Sequence, residues 1–289
     1  MRTKITGTTS LLGLIGTPVD HSKSPEMYNY GFQKLGFDYT YLAFDVPKEN
    51  LSNAIDTIKV FKMKGANVTM PHKSEVIKYL DEVSPASRII GAVNTIVNHN
   101  GKLVGHITDG LGYVRNLKEE GISLKNKNIT IIGAGGSATA IIVQCALEGA
   151  KEISIFNIKD SFFERAKRIV ENLNKEVPSC LVNLYDLEDS TNLSLEISTS
   201  HILVNCTVIG MSPYLNQSPI KDLSVFRKDL IVTDVIYSPK QTKLLSDASS
   251  CGCKTIGGLG MLVWQGAEAF KLYTGEEMPV EEIKDMFFN

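Results

Sequence analysis

Two side chains in this sequence stand where they could move a proton. Lys73 closes the run NVTMPHK, and Asp109 lies in ITDG. Both follow apolar stretches, and open α/β sheets place their ligands at the ends of strands. Pro71 suits the first turn of a helix, so a helix is predicted to begin there with Lys73 near its positive end. An ammonium placed so, and partly desolvated, loses basicity toward the range an acid–base catalyst needs. A neighbouring carboxylate would steady it and partly reverse that shift, and Asp109 is the candidate. A lone lysine is ordinarily a solvated surface group, so spacing alone does not establish the pair.

A second constellation is built for phosphate. Gly133, Gly135 and Ala138 form GxGxxA between the apolar run ITIIG and a helical pattern. The first glycine allows a tight turn, the second lets a pyrophosphate approach the backbone, and the small third residue lets helix and strand pack closely. The N–H groups of the helix start then face the phosphates. In such folds the adenosine ribose lies at the end of the next strand, here FNIKD. An acidic residue there binds ribose hydroxyls, whereas an arginine pairs with the extra phosphate of NADP. Asp160 is acidic, Ile158 is neutral and Lys159 is the basic residue. Ser161 and Glu164 form a capping box for the following helix, which would free Asp160 for the ribose. NAD is therefore expected over NADP, with NADP use still possible through Lys159.

The elements needed to hold these groups can be read from the same sequence. Strands are expected at 11–16, 39–44, 65–69, 92–97, 102–107, 129–133, 153–156, 180–184, 202–205 and 230–235. Helices are expected at 25–35, 48–61, after Pro71, 111–121, 137–148, 161–174, 241–249, 261–274 and 280–287. His99–Asn100–Gly101 suits a hairpin turn. The alternation makes this an α/β protein of two domains. An N-terminal substrate domain, 1–110, is completed by C-terminal helices returning in 258–289, and a Rossmann-type doubly wound domain occupies 111–257.

Composition agrees with two compact domains. At 289 residues, 43% hydrophobic and 21% charged, the chain can bury a large core and is not disordered. Thirty Lys and Arg against 32 Asp and Glu leave a net charge of -2, with no positive excess for nucleic acid. No apolar run reaches the ~20 residues of a membrane span, so a cytoplasmic protein is expected. Five cysteines without CxxC spacing argue against disulfides or zinc and for buried thiols, with no metal required.

The motifs GxPVxHSxSPxMxN (16–29), GANVTMPHK (65–73), GAVNT (91–95), TDG (108–110), GAGG (133–136), NxTxxGM (205–211) and GMLVWQGA (260–267) occur in one order. With them the chain resembles the shikimate dehydrogenases over essentially its whole length. FNIKDSFFERA, with Thr139 where many members carry Arg, is most similar to the quinate/shikimate dehydrogenase branch. The resemblance implies reversible oxidation of shikimate to 3-dehydroshikimate with NAD(P), a step of aromatic amino-acid biosynthesis, and leaves quinate as a further substrate. It implies Ser22 and Ser24 on the substrate carboxylate, and Thr69, Asn94 and Gln265 on ring hydroxyls. Lys73 and Asp109 become the catalytic pair, with hydride passing from C3 to the nicotinamide. Ala134, Gly135, Gly136, Asn157, Asp160, Thr207 and Gly258 would line the nucleotide groove, with Tyr237 at the substrate cleft.

Three positions depart from the family pattern: Ile158 for a common Arg, Gly257 for a frequent Asp, and Tyr273 for a frequent Trp. Loss of that Arg weakens binding of a 2'-phosphate. The expected partners are thus a small acid and a nucleotide, with the chain a monomer or homodimer. Rival readings are a quinate-preferring enzyme, a catalytically idle NAD-binding regulator, and a folate dehydrogenase of similar plan, for which HSxSP and TDG give no argument.

Overall fold

The computed structural model describes residues 5–20 and 22–287. The chain divides into two compact units, Met1–Thr108 with Val263–Asn289, and Asp109–Leu262. These limits differ by a few residues from the expected 110/111 and 257/258, because one long helix runs through the second boundary.

Among its described residues the first unit contains β1 (Ser10–Gly16), α1 (Ser24–Leu35), β2 (Tyr39–Asp45), α2 (Leu51–Val60), β3 (Gly65–Val68), β4 (Glu82–Val83), α3 (Pro85–Ile90), β5 (Thr95–His99) and β6 (Lys102–His106). The sheet order is β2-β1-β3-β5-β6-β4. β1 runs parallel to β2 and β3, while β5 is antiparallel to both β3 and β6. Asn100 and Gly101, both at positive φ, close the β5–β6 hairpin as the sequence predicts.

The second unit follows with α4 (Asp109–Glu119), β7 (Asn128–Ile132), α5 (Gly136–Leu147), β8 (Glu152–Asn157), α6 (Ser161–Glu176), β9 (Leu181–Asp186), α7 (Ser190–Thr199), β10 (Ile202–Asn205), β11 (Ile231–Asp234), α8 (Lys243–Ser250) and β12 (Lys254–Ile256). Its strands are all parallel, in the order β12-β11-β10-β7-β8-β9. Runs such as ILVN at β10 are buried at every residue, the pattern of strands covered on both faces.

The chain ends with α9 (Leu259–Thr274) and α10 (Val280–Phe287). Within the first unit Phe270 of α9 stacks on Phe32 of α1, with ring centroids 5.1 Å apart, and Tyr28 donates to the Gly266 carbonyl at 3.0 Å. Both phenylalanines are fully buried, each worth roughly 1.5–3 kcal/mol of transfer free energy. No helix among the described residues is long and apolar enough to cross a membrane.

Two expectations need correction. The helix predicted after Pro71 is a 3₁₀ turn, Glu75–Tyr79. The Lys73 carbonyl accepts from the Val93 N–H at 2.7 Å, so a tertiary partner replaces the helical one. Lys73 consequently does not sit at a helix start, and the dipole argument for its basicity falls. Of the cysteines, Cys145, Cys180 and Cys253 are buried, but Cys206 and Cys251 are only half-buried; all five are free thiols.

Candidate active site

In the second unit, β7 ends at Ile132 and the chain turns through Gly133 into α5. Gly133 has φ +104°, and a Cβ there would meet the Cys206 backbone at 3.0 Å, so this turn and close approach require glycine. Gly135 and Gly136 have nothing within 4 Å of an added Cβ. The first turn of α5, a helix of 12 residues, thus presents bare backbone to a cleft of about 280 Å³. Gly135, Gly136, Thr207 and Tyr237 line it together with Cys206 and Ile236. Open space before a helix N-terminus is what a pyrophosphate needs, and a nucleotide fits these residues.

Other expected cofactor residues lie behind this surface. The Asn157 Oδ1 accepts from the Ala134 N–H at 3.0 Å, and its Nδ2 donates to Asp160 Oδ1 at 2.9 Å. Asn157 therefore ties the glycine turn to the end of β8. A Cβ on Gly258 would meet the Val235 carbonyl at 2.1 Å, so this glycine lets the chain pass against the loop after β11. Asp160 itself is the N-cap of α6, its Oδ1 accepting from Phe162 N at 2.9 Å and Phe163 N at 3.0 Å. The expectation that Ser161 and Glu164 would release it from capping is wrong, because the helix begins one residue earlier than that box requires. Its Oδ2 takes no hydrogen bond from the described residues. Lys159 is held by Asp186, Nζ to Oδ2 2.8 Å.

The first unit carries a buried polar chain. Tyr41 OH donates to Asn67 Oδ1 at 2.8 Å, and Asn67 Nδ2 donates to the Asn94 carbonyl at 3.2 Å and to Thr95 Oγ1 at 3.1 Å. Thr95 Oγ1 donates to Asn94 Oδ1 at 2.9 Å, which also accepts from the Thr108 N–H at 2.9 Å. Asn94 Nδ2 donates to Thr108 Oγ1 at 3.0 Å. The partners fix which way the Asn94 amide faces. Burial pushes the Tyr41 hydroxyl well up, with Ser24 hydrogen-bonding to it in opposition, which leaves Tyr41 a neutral donor. Lys23 is the N-cap of α1, and the Ser24 N–H donates to Ser22 Oγ at 3.2 Å. Ser22, Ser24, Thr69, Lys73 and Gln265 are all partly exposed. Such a set of oriented amides and hydroxyls suits a polyol. Tyr41 and Asn67 were not singled out from the sequence, although Asn67 lies within the GANVTMPHK motif.

These features define a two-domain α/β protein in which one domain has the dinucleotide-type parallel sheet. The Shikimate dehydrogenase substrate binding domain matches residues 14–96 and the Shikimate 5'-dehydrogenase C-terminal domain matches 258–285. Shikimate dehydrogenase (NADP(+)) of Streptococcus uberis is 51% identical over 292 residues, covering 100% of this chain and 99% of the relative. Shikimate dehydrogenase (NADP(+)) of Listeria monocytogenes serotype 4b is 49% identical over 285 residues, covering 99% and 98%. The crystal structure of shikimate 5-dehydrogenase from Listeria monocytogenes in complex with shikimate and NAD superimposes with a TM-score of 0.97 at 49% identity, covering 100% and 99%. The chain belongs to the shikimate dehydrogenase family.

Proposed function

We propose that this chain catalyses the reversible oxidation of shikimate to 3-dehydroshikimate with a nicotinamide dinucleotide. The observation that carries the reading is the bare glycine turn at the head of α5, open to a cleft of about 280 Å³, in a chain of this family. A bound nicotinamide supplies the hydride acceptor; the protein supplies alignment and a place for the proton.

Lys73 accepts the proton of the C3 hydroxyl, and Asp109 is the second catalytic residue. Asn94, with its amide direction set by Thr95 and Thr108, addresses a ring hydroxyl together with Thr69 and Gln265. Ser22 and Ser24 receive the carboxylate, and Tyr237 is a further substrate residue.

For the nucleotide, NAD is the favoured partner. Asp160 keeps one carboxylate oxygen clear of hydrogen bonds from the described residues, and Lys159 is already ion-paired. Ile158 offers a 2'-phosphate no charge. Steady-state rates with shikimate and quinate, each paired with NAD and NADP, test the reading by reduced-nicotinamide absorbance. The highest kcat/KM is expected for shikimate with NAD. No nicotinamide reduction in any combination would exclude the dehydrogenase reading and favour a binding protein.

A further inference from the structure

Asn205 and Asp234 are the last residues of β10 and β11 and are register partners in the sheet. The loops that follow them form two walls of the cleft, through Thr207 on one side and Ile236 and Tyr237 on the other. Asp234 is only 2% exposed, and no cationic side chain compensates it among the described residues. Burying such a carboxylate is costly unless its oxygens are saturated by donors.

Those donors come from both walls. Asp234 Oδ1 accepts from the Ile236 N–H at 3.0 Å. Its Oδ2 accepts from Asn205 Nδ2 at 3.1 Å and from Thr242 Oγ1 at 2.8 Å. The bond from Asn205 sets the direction of that amide. Its Oδ1 then takes the Thr207 N–H at 3.0 Å and the Thr207 hydroxyl at 2.8 Å, while Nδ2 also reaches the Ile209 carbonyl at 3.1 Å. Thr242 is in turn the N-cap of α8.

We propose that Asp234 is a positioning residue for the nucleotide, clamping the loops after β10 and β11 so that the cleft is preformed. The proposal rests on the reading of this cleft as the nucleotide site. An apolar residue at 234 would leave the Ile236 N–H unpaired and take one acceptor from the Asn205 amide, so the Thr207 loop would be held less firmly. Preorganisation of this kind appears in affinity, because the free protein already holds the bound shape.

The test is calorimetric binding of NAD and of NADP, without substrate, to the intact wild-type chain, Asp234→Asn and Thr242→Val. Asn at 234 keeps the volume but sets an amide against the Asn205 amide. Val at 242 removes one donor and leaves the carboxylate. Asp234→Asn is expected to weaken the tighter dinucleotide at least about tenfold, the equivalent of a charge-assisted hydrogen bond, and Thr242→Val less. In kinetics the dinucleotide KM rises by a larger factor than the shikimate KM, on which Tyr237 of the same loop also bears. Unchanged dinucleotide affinity in a folded Asp234→Asn overturns the proposal; if that variant does not fold, unchanged affinity in Thr242→Val overturns it. A fall in active fraction at constant affinity also overturns it, because that is the signature of a purely structural role. Failure of the wild type to bind either dinucleotide overturns the cleft assignment itself, and is seen before any variant is compared.

Discussion

Lys159 and Asp186 form an ion pair 2.8 Å long beside the ends of two adjacent strands. Asp186 is the register partner of Asn157, and Lys159 holds its carboxyl below the usual range, helped by the Glu188 N–H. The lysine is 71% exposed, so the pair contributes little to stability. Its consequence is for selectivity, since it engages the basic residue nearest the proposed ribose position. Asp186→Asn is expected to lower the KM for NADP by about fivefold relative to NAD, about 1 kcal/mol, with the melting temperature nearly unchanged. Equal KM changes for both nucleotides would show that Lys159 does not reach the 2'-phosphate.

Asp160 has two roles that substitutions can separate. Its Oδ1 caps α6 and receives the Asn157 amide, while Oδ2 is the proposed ribose acceptor. Asp160→Ala should cost about 1 kcal/mol of stability through the lost cap and erode NAD use. Asp160→Ser preserves a capping oxygen, so its stability should stay near wild type while the preference for NAD still falls. A variant that loses NAD and NADP rates equally points to folding alone.

Much of this arrangement could be read from residue types. Several parallel strands announced themselves as apolar runs, among them ITIIG and ILVN, the hairpin as Asn100–Gly101, and the turn before α5 as glycines between a strand and a helix, whereas β4 and β12 were not legible. Nor were other short or polar elements. The helix α7, STNLSLEIST, buries only Ile197, and α3 is six residues long, so neither shows a sustained stripe. The helix expected after Pro71 lost to a hydrogen bond from Val93, a residue that spacing could not connect to Lys73. Asp160 and Ser161 are both good caps, and choosing between them required the backbone. Asp234, Asn205 and Thr242 meet only through sheet register and a loop return, which no local pattern encodes.

Lys73→Ala should reduce kcat by about two to four orders of magnitude, the usual worth of a positioned proton acceptor. Shikimate affinity, measured by equilibrium binding, should change far less. Full turnover in this variant would remove Lys73 from the chemistry.

Asn94→Ala should raise the shikimate KM and destabilise the first unit together. The substitution leaves the buried Thr108 N–H without its acceptor, at roughly 1–3 kcal/mol. Thr108→Val removes a partner of the Asn94 amide but leaves that amide in place. It should therefore affect stability more than substrate KM. Denaturant unfolding beside steady-state kinetics distinguishes the two patterns.

Asp234 also predicts a pH dependence. Burial pushes its carboxyl above the ordinary range, against the opposing bonds from Ile236, Thr242 and Asn205. The folded state therefore holds this proton more tightly than the unfolded chain does. By linkage the resulting stability is fully present below the unfolded carboxylate value and is lost as pH rises through the raised folded value. Asp234→Asn carries no such proton. The stability difference, wild type minus variant, should accordingly fall as pH rises from about 4 upward, as measured by denaturant unfolding of both proteins across that range. A difference that grows with pH would mean that the three donors outweigh burial, so that the native state prefers the anion.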